Sequence, residues 1–200
     1  VDGTSNQTVR GFHGDRWRQG VHIQFNGRHQ PIHFSRIGAH HQGDDLPDIA
    51  NLRVGETGHV YAFDVQQQAI DQTRGRLDTH GAAKQVTLIR GNHADMLGRL
   101  PAGIAGSVAA VIFNLGYLPG GDKSVTTMAE STLLALDASL ELIRSGGLIS
   151  LLVYVGHAGG IEEHQVITEW LEKAGSRARW KHHNPGCAAH APRLYTLVRS

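Results

Sequence analysis

The sequence predicts an α/β protein: a doubly wound, mostly parallel sheet closed by a C-terminal antiparallel hairpin. Three observations carry that expectation. From Gly58 onward, short apolar runs alternate with stretches of helical period, as parallel strands joined by crossover helices do. The run Leu148–Tyr154 is apolar nearly throughout, as strands covered on both faces are. Asn114 ends another apolar run and opens a loop rich in Gly and Pro, and open α/β sheets hold their ligands at the carboxyl ends of strands.

The elements follow in order. His59–Asp64 is a short strand ending in an acid. Residues 66–81 are helical, with Ala69, Ile70, Thr73 and Leu77 on one face and Gly81 as the stop. Gln85–Arg90 is a strand, followed by a polar turn from Gly91 to Asp95 and a short helix. Ser107–Phe113 is the next strand. A helix from Thr126 turns Leu133, Leu136, Leu140 and Ile143 inward and is closed by Gly146 and Gly147. Leu148–Tyr154 is the strand expected at the centre of the sheet, and a helix over Gly160–Ala174 follows. Ala178–Lys181 and Leu194–Arg199 then pair across a loop containing Asn184, Pro185 and Gly186.

Composition sets outer bounds. Two hundred residues make one domain with room for a sizeable core. A net charge of +1 excludes a general electrostatic attraction to nucleic acid, though not a local basic face. Arg177, Arg179, Lys181, His182, His183 and Arg193 cluster near the closing hairpin. There they suit phosphate contact or the guarding of an edge strand. The single Cys187 excludes an internal disulfide and a cysteine-rich zinc site. No apolar run is long enough to span a bilayer and no secretory signal pattern is present. A cytoplasmic protein without a membrane partner is the expectation.

Residues 1–57 break the alternation. They hold six of the fourteen histidines, six arginines and no lysine, with apolar residues at no sustained period. The expected organisation is an irregular N-terminal segment over 1–57 and a domain over 58–200. The pair His40-His41 is a compositional hint of metal binding only, and no metal is expected.

Three strings have a relative. They are GETGHVYAFDVQQQAI (55–70), NLGYLPGGDKS (114–124) with the Thr-Thr behind it, and SGGLISLLVYVGHAGGIEE (145–163). On these strings the chain from Gly55 to Ser200 resembles the small class I S-adenosylmethionine-dependent methyltransferases of the rRNA methylase family. The resemblance implies a Rossmann-like fold, S-adenosyl-L-methionine as cofactor and tRNA as partner. It further implies N-methylation of the aminomethyl group of a wobble 2-thiouridine.

The residues can be weighed individually. Asp64 ends an early strand, where an acid accepts from ribose hydroxyls; the same residue suits a helix N-cap. The resemblance adds Gln66 to the cofactor contacts. Asn92 and His93 follow the next strand and are placed for an adenine, with capping an equal prospect for Asn92; His93 is included on the family pattern. Asn114 has an amide oxygen that can accept from a target amine and aim its lone pair. Tyr117 is a candidate for stacking on a nucleobase, and His157 for helping deprotonate the amine. Glu162 and Glu163 at a helix start are read as structural, complementing the macrodipole.

The chain departs from the family in two places. The Gly-rich first motif is missing; in Arg36–Leu46, only Gly43 and Asp45 correspond to it and complete the cofactor set. Val155 and Ala158 stand where the family tends to carry proline. The composition of residues 1–50 reads as a rearranged or out-of-frame stretch, which the other two frames of the coding DNA would test. Two further readings stay open: an impaired methyltransferase-like protein that binds RNA or a partner, and methyl transfer to a small-molecule amine. A P-loop is rejected, because Asp122 separates Gly121 from Lys123. A nicotinamide enzyme is disfavoured, since no GxGxxG precedes the strand ending at Asp64. Oligomeric state is open, a homodimer included.

Overall fold

The computed structural model describes residues 19–24, 58–115, 128–156 and 159–200, the first of these as backbone. The strands are β1 (Gln19–Gln24), β2 (His59–Asp64), β3 (Val86–Arg90), β4 (Val108–Leu115), β5 (Ile143–Val153), β6 (Ala178–His182) and β7 (Arg193–Arg199). The α-helices are α1 (Gln67–Thr79), α2 (Met96–Arg99), α3 (Ala129–Leu142) and α4 (Gly160–Ala174). The sheet order is β3-β2-β1-β4-β5-β7-β6. Every pairing from β3 to β5 is parallel, and β7 runs antiparallel to both β5 and β6. The doubly wound sheet with its terminal hairpin is therefore what the chain builds.

Right-handed crossovers distribute the helices. The connection from β2 to β3 runs one way along the sheet and those from β3 to β4 and β4 to β5 run the other, so α1 lies apart from α2 and α3. Two hydrogen bonds join α3 to α4: Thr132 Oγ1 donates to Glu163 Oε1 at 2.6 Å, and Trp170 Nε1 donates to Asp137 Oδ1 at 2.9 Å. Both numbers rise together, so the two helices run parallel, as successive crossover helices do. Phe63, Phe113, Leu115, Leu136, Leu142, Ile149, Leu151 and Ile167 fill the core between sheet and helices.

The structure corrects three expectations. The middle strand is β4, not the Leu148–Tyr154 run, because the antiparallel hairpin attaches outside β5 and β1 inserts on the other side of β4. In β4 seven of eight residues are buried, whereas β5 alternates along its second half. Next, Gly146 and Gly147 do not stop a helix. Helix α3 ends at Leu142, and Ile143, in extended conformation, pairs with Val108. Both side chains are fully buried, so the apolar pairing draws the chain out of the helix early. The register then jumps to Ala110↔Leu148, and residues 144–147 bulge opposite Ala109. Gly146 has φ +70° there, and a Cβ on Gly147 would lie 2.5 Å from Ile143 Cγ1 and 2.9 Å from the Arg144 carbonyl oxygen.

The third correction concerns the N-terminal segment. It is not wholly irregular, because Gln19–Gln24 forms β1, paired in parallel with both β2 and β4. Its two apolar residues, Val21 and Ile23, alternate with polar ones, too short a pattern to stand out among the scattered residues around it.

Candidate active site

The sheet places its strand ends in one row. Ile23 pairs with Phe63 and Gln24 with Asn114, while Asn114 also pairs with Leu152. Asp64 at the end of β2 and Asn114 near the end of β4 are thus two strand spacings apart, about 10 Å, with the end of β1 between them. The winding reverses between β1 and β4, so this row is the topological switch point where such sheets bind ligands. One nucleoside-sized molecule can touch both residues.

Asp64 is 6% exposed. Its Oδ1 accepts the Gln66 backbone N–H at 2.8 Å, and that turn leads into α1, whose N-cap is Gln66 itself. Burial raises the Asp64 carboxyl from 3.8 to about 6, against the lowering effect of the Gln66 and Val65 backbone N–H groups. At neutral pH it is a desolvated carboxylate with acceptor capacity left over, suited to hydroxyl donors. The Gln66 side chain is half-buried beside it.

Asn92 is exposed, and its Oδ1 accepts the Ala94 N–H at 3.0 Å, capping the short 3-10 turn His93–Asp95. Its amide N–H groups remain for a ligand. His93 is 2% exposed, with its ring edge-on to Phe113 at 6.2 Å between centroids. Burial pushes it down to about 4, with the Ser131 backbone acting the other way, so it is a neutral ring beneath the crevice at physiological pH. It thereby joins the turn after β3 to β4 and to the first turn of α3.

Asn114 lies inside the β4 ladder, and its side-chain oxygen is buried with no hydrogen-bond partner among the described residues. A buried amide oxygen is costly unless something donates to it. The arrangement fits a ligand that brings an N–H or O–H to this point.

A second group was not anticipated. Glu163 is 1% exposed, and its carboxylate accepts from the fully buried Thr132. The first turns of α3 and α4, which follow the loops after β4 and β5, are tied together by this bond. The sequence offered no signal, since an acid in a first helical turn is ordinary. Gly43, Asp45, Tyr117 and His157 lie outside the described residues.

Fold and site together define a class I S-adenosylmethionine-dependent methyltransferase domain. Residues 60–196 match the family described as "Putative rRNA methylase", and the chain belongs to that family. A curated relative, the Arabidopsis thaliana chloroplastic tRNA (mnm(5)s(2)U34)-methyltransferase, is 45% identical over 125 residues, covering 61% of this chain. The match takes in 45% of that relative, so the chain spans less than half its length. A crystal structure described as a putative rRNA-methylase from Clostridium thermocellum has a TM-score of 0.75 at 29% identity, covering 92% of this chain and 90% of that one. A Streptococcus mutans protein described as a putative methyltransferase in complex with SAH shares the fold, with a TM-score of 0.68 at 23% identity over 92% of this chain and 90% of its own.

Proposed function

We propose that the protein methylates the amine of the 5-aminomethyl group on a tRNA wobble 2-thiouridine, with S-adenosyl-L-methionine as methyl donor. The observation that carries this reading is Asn114: a buried amide oxygen lacking a donor among the described residues, at the switch point of a methyltransferase sheet. The name of the Arabidopsis relative supports the choice of nucleoside. A cytoplasmic site of action is part of the reading; among the described residues no helix is long and apolar enough to cross a membrane.

The residues present fit the cofactor, with Asp64 accepting from ribose hydroxyls and Asn92 and Gln66 flanking it. When bound, S-adenosylmethionine supplies an electrophilic methyl group on sulfur. Asn114 Oδ1 accepts one N–H of the neutral target amine and so fixes the direction of the nitrogen lone pair. Alignment of this kind supplies much of the rate when the nucleophile is already competent. His93, neutral and buried, positions the β3 turn and does not exchange protons near pH 7. The Thr132–Glu163 bond holds the first turns of α3 and α4 in fixed relation. We assign Tyr117 to the base and His157 to the departing proton, and Gly43 and Asp45 to the cofactor.

Calorimetric titration of the purified chain with S-adenosylmethionine and its demethylated product tests the cofactor site. Incubation with tRNA carrying the unmethylated aminomethyl nucleoside, followed by mass analysis of the nucleosides, tests the substrate. Methyl gain on that nucleoside is the expected result. Cofactor binding with methyl gain only on another RNA or on a free amine would overturn the choice of substrate.

A further inference from the structure

The C-terminal hairpin carries a charge that the chain as a whole conceals. Residues 173–200 contain six Lys and Arg and no Asp or Glu, while the whole chain totals 19 basic and 18 acidic residues. The preceding 172 residues therefore have 13 basic and 18 acidic, a balance of −5 against +6 for the last 28. Part of this charge sits on β6, the outer strand of the sheet. Arg177, Arg179 and Lys181 are exposed, and none forms an ion pair among the described residues. His164, His182 and His183 are held below the ordinary histidine value, chiefly by burial and then by neighbouring charged groups.

Edge strands commonly carry cations that discourage pairing with other chains. That account leaves Trp180 unexplained. It lies between Arg179 and Lys181 and is 38% exposed, an apolar surface that a guarded edge would avoid. The ring is held from below: Trp180 leans on Tyr195 at 6.2 Å, His182 stacks on the same Tyr195 at 4.4 Å and 23°, and Tyr195 Oη meets His164 Nε2 at 2.7 Å. An aromatic surface fixed by packing, on an edge strand whose alternate residues Arg179 and Lys181 set cations on the opposite face of the same rim, offers single-stranded nucleic acid a stacking platform beside phosphate contacts.

The hairpin is also continuous with the active site. Leu194 of β7 pairs with Leu152, which pairs with Asn114. The loop before β7 is shaped by Arg193 and Asn184, which bond the carbonyls of Ala188, Ala189, Ala191 and Pro192. That loop approaches the segment after β5, with the His190 carbonyl oxygen 3.6 Å from where a Cβ on Gly156 would stand. Trp180 lies three strands from Asn114, about 14 Å across the sheet, and about 10 Å back along it. A few nucleotides of single strand bridge such a distance. The acids Glu162, Glu169 and Glu172 on exposed positions of α4 confine the basic surface to the hairpin edge.

We propose that the outer edge of β6, with Arg179, Trp180 and Lys181, is a track for the single-stranded RNA beside the target nucleotide, one base stacking on Trp180. This deepens the reading of the active site as acting on tRNA and rests on it.

The test is binding of an unmodified anticodon stem-loop RNA to the full chain, followed by fluorescence anisotropy at several salt concentrations. Trp180→Ala should weaken binding about tenfold, Trp180→Phe should restore most of it, and the pair Arg179→Glu and Lys181→Glu should weaken it further and flatten the salt dependence. S-adenosylmethionine affinity should be unchanged in all of them, which also shows that they fold. Lys84→Glu, at the opposite end of the sheet, should leave RNA affinity intact. Unaltered RNA affinity in folded β6 variants, or no RNA binding by the parent chain, would overturn the proposal, as would a protein partner or second copy occupying this edge instead. RNA binding through β6 without methylation of the wobble nucleoside would retain the track and discard the proposed substrate; methylation with an unchanged KM in the variants would do the reverse.

Discussion

Replacing Asp64 by Asn should stabilise the protein and impair it at once. The carboxyl is displaced from 3.8 to about 6, mainly by burial, so folding above pH 6 confines a charge that water would solvate better. That displacement corresponds to about 3 kcal/mol. Below about pH 3 the group is protonated in both folded and unfolded chains and the penalty vanishes. As pH rises towards 6 the unfolded chain loses its proton first, so the folded state of the parent is progressively disfavoured. The amide in Asp64→Asn keeps the acceptor for the Gln66 N–H without the charge. Its advantage over the parent should be about 0.5 kcal/mol at about pH 4 and approach about 3 kcal/mol by about pH 7, roughly 5–10 °C in melting temperature for a domain of this size.

His93 has the opposite slope over almost the same interval. Its folded value of about 4 lies below 6.5, so its stabilisation is present above 6.5 and is lost as pH falls towards 4. His164, His182 and His183, also lowered by burial, add to that slope in the parent's own pH profile, so only the difference between variant and parent isolates Asp64. Thermal and denaturant unfolding of both proteins, without cofactor, at intervals between about pH 4 and pH 8 measures it. Calorimetry at neutral pH should show S-adenosylmethionine binding weakened ten- to a hundredfold in the variant, the scale of a charged hydrogen bond. An Asp64→Asn variant less stable than its parent at neutral pH, or one with a gain independent of pH, would refute the reasoning. Stabilisation with unaltered cofactor affinity would remove Asp64 from the binding site.

Other substitutions probe the rest of the site. Asn114→Ala should lower kcat about a hundredfold with cofactor affinity within about twofold; an equal loss in both would end the alignment role. Thr132→Val strips the Glu163 carboxylate of a buried donor and should cost about 2–3 kcal/mol in denaturant unfolding, with Thr132→Ser recovering most of it. Gly147→Ala forces a Cβ onto Ile143 and the Arg144 carbonyl and should cost about 1–3 kcal/mol, read as a lowered melting temperature. An unchanged melt would mean that the bulge before Leu148 relaxes freely.

Much of this architecture is legible in residue order. Period-2 and period-3.6 runs beyond Gly58 mark the strands and helices, and the acid at Asp64 and the amide at Asn114 stand out because each ends an apolar run. The closing hairpin is visible for the same reason, with its turn residues between Ala178 and Leu194. Strand β1 is not legible, since Gln19–Gln24 has only two apolar residues and owes its position to partners on both sides. The end of α3 is not legible either, because glycine signals a helix stop locally, whereas the pairing of Ile143 with Val108 acts across 35 residues.

The sequence by itself determined the class of fold and the two polar residues at strand ends. Those properties depend on neighbours in the chain. Tertiary structure alone decided that Asp64 is desolvated, that Asn114 has an orphaned oxygen among the described residues, that Glu163 is braced by Thr132 and that Trp180 is propped on Tyr195 at the sheet's edge. Burial and partnership arise only when segments distant in sequence exclude water between them, and no local pattern encodes which segments those will be.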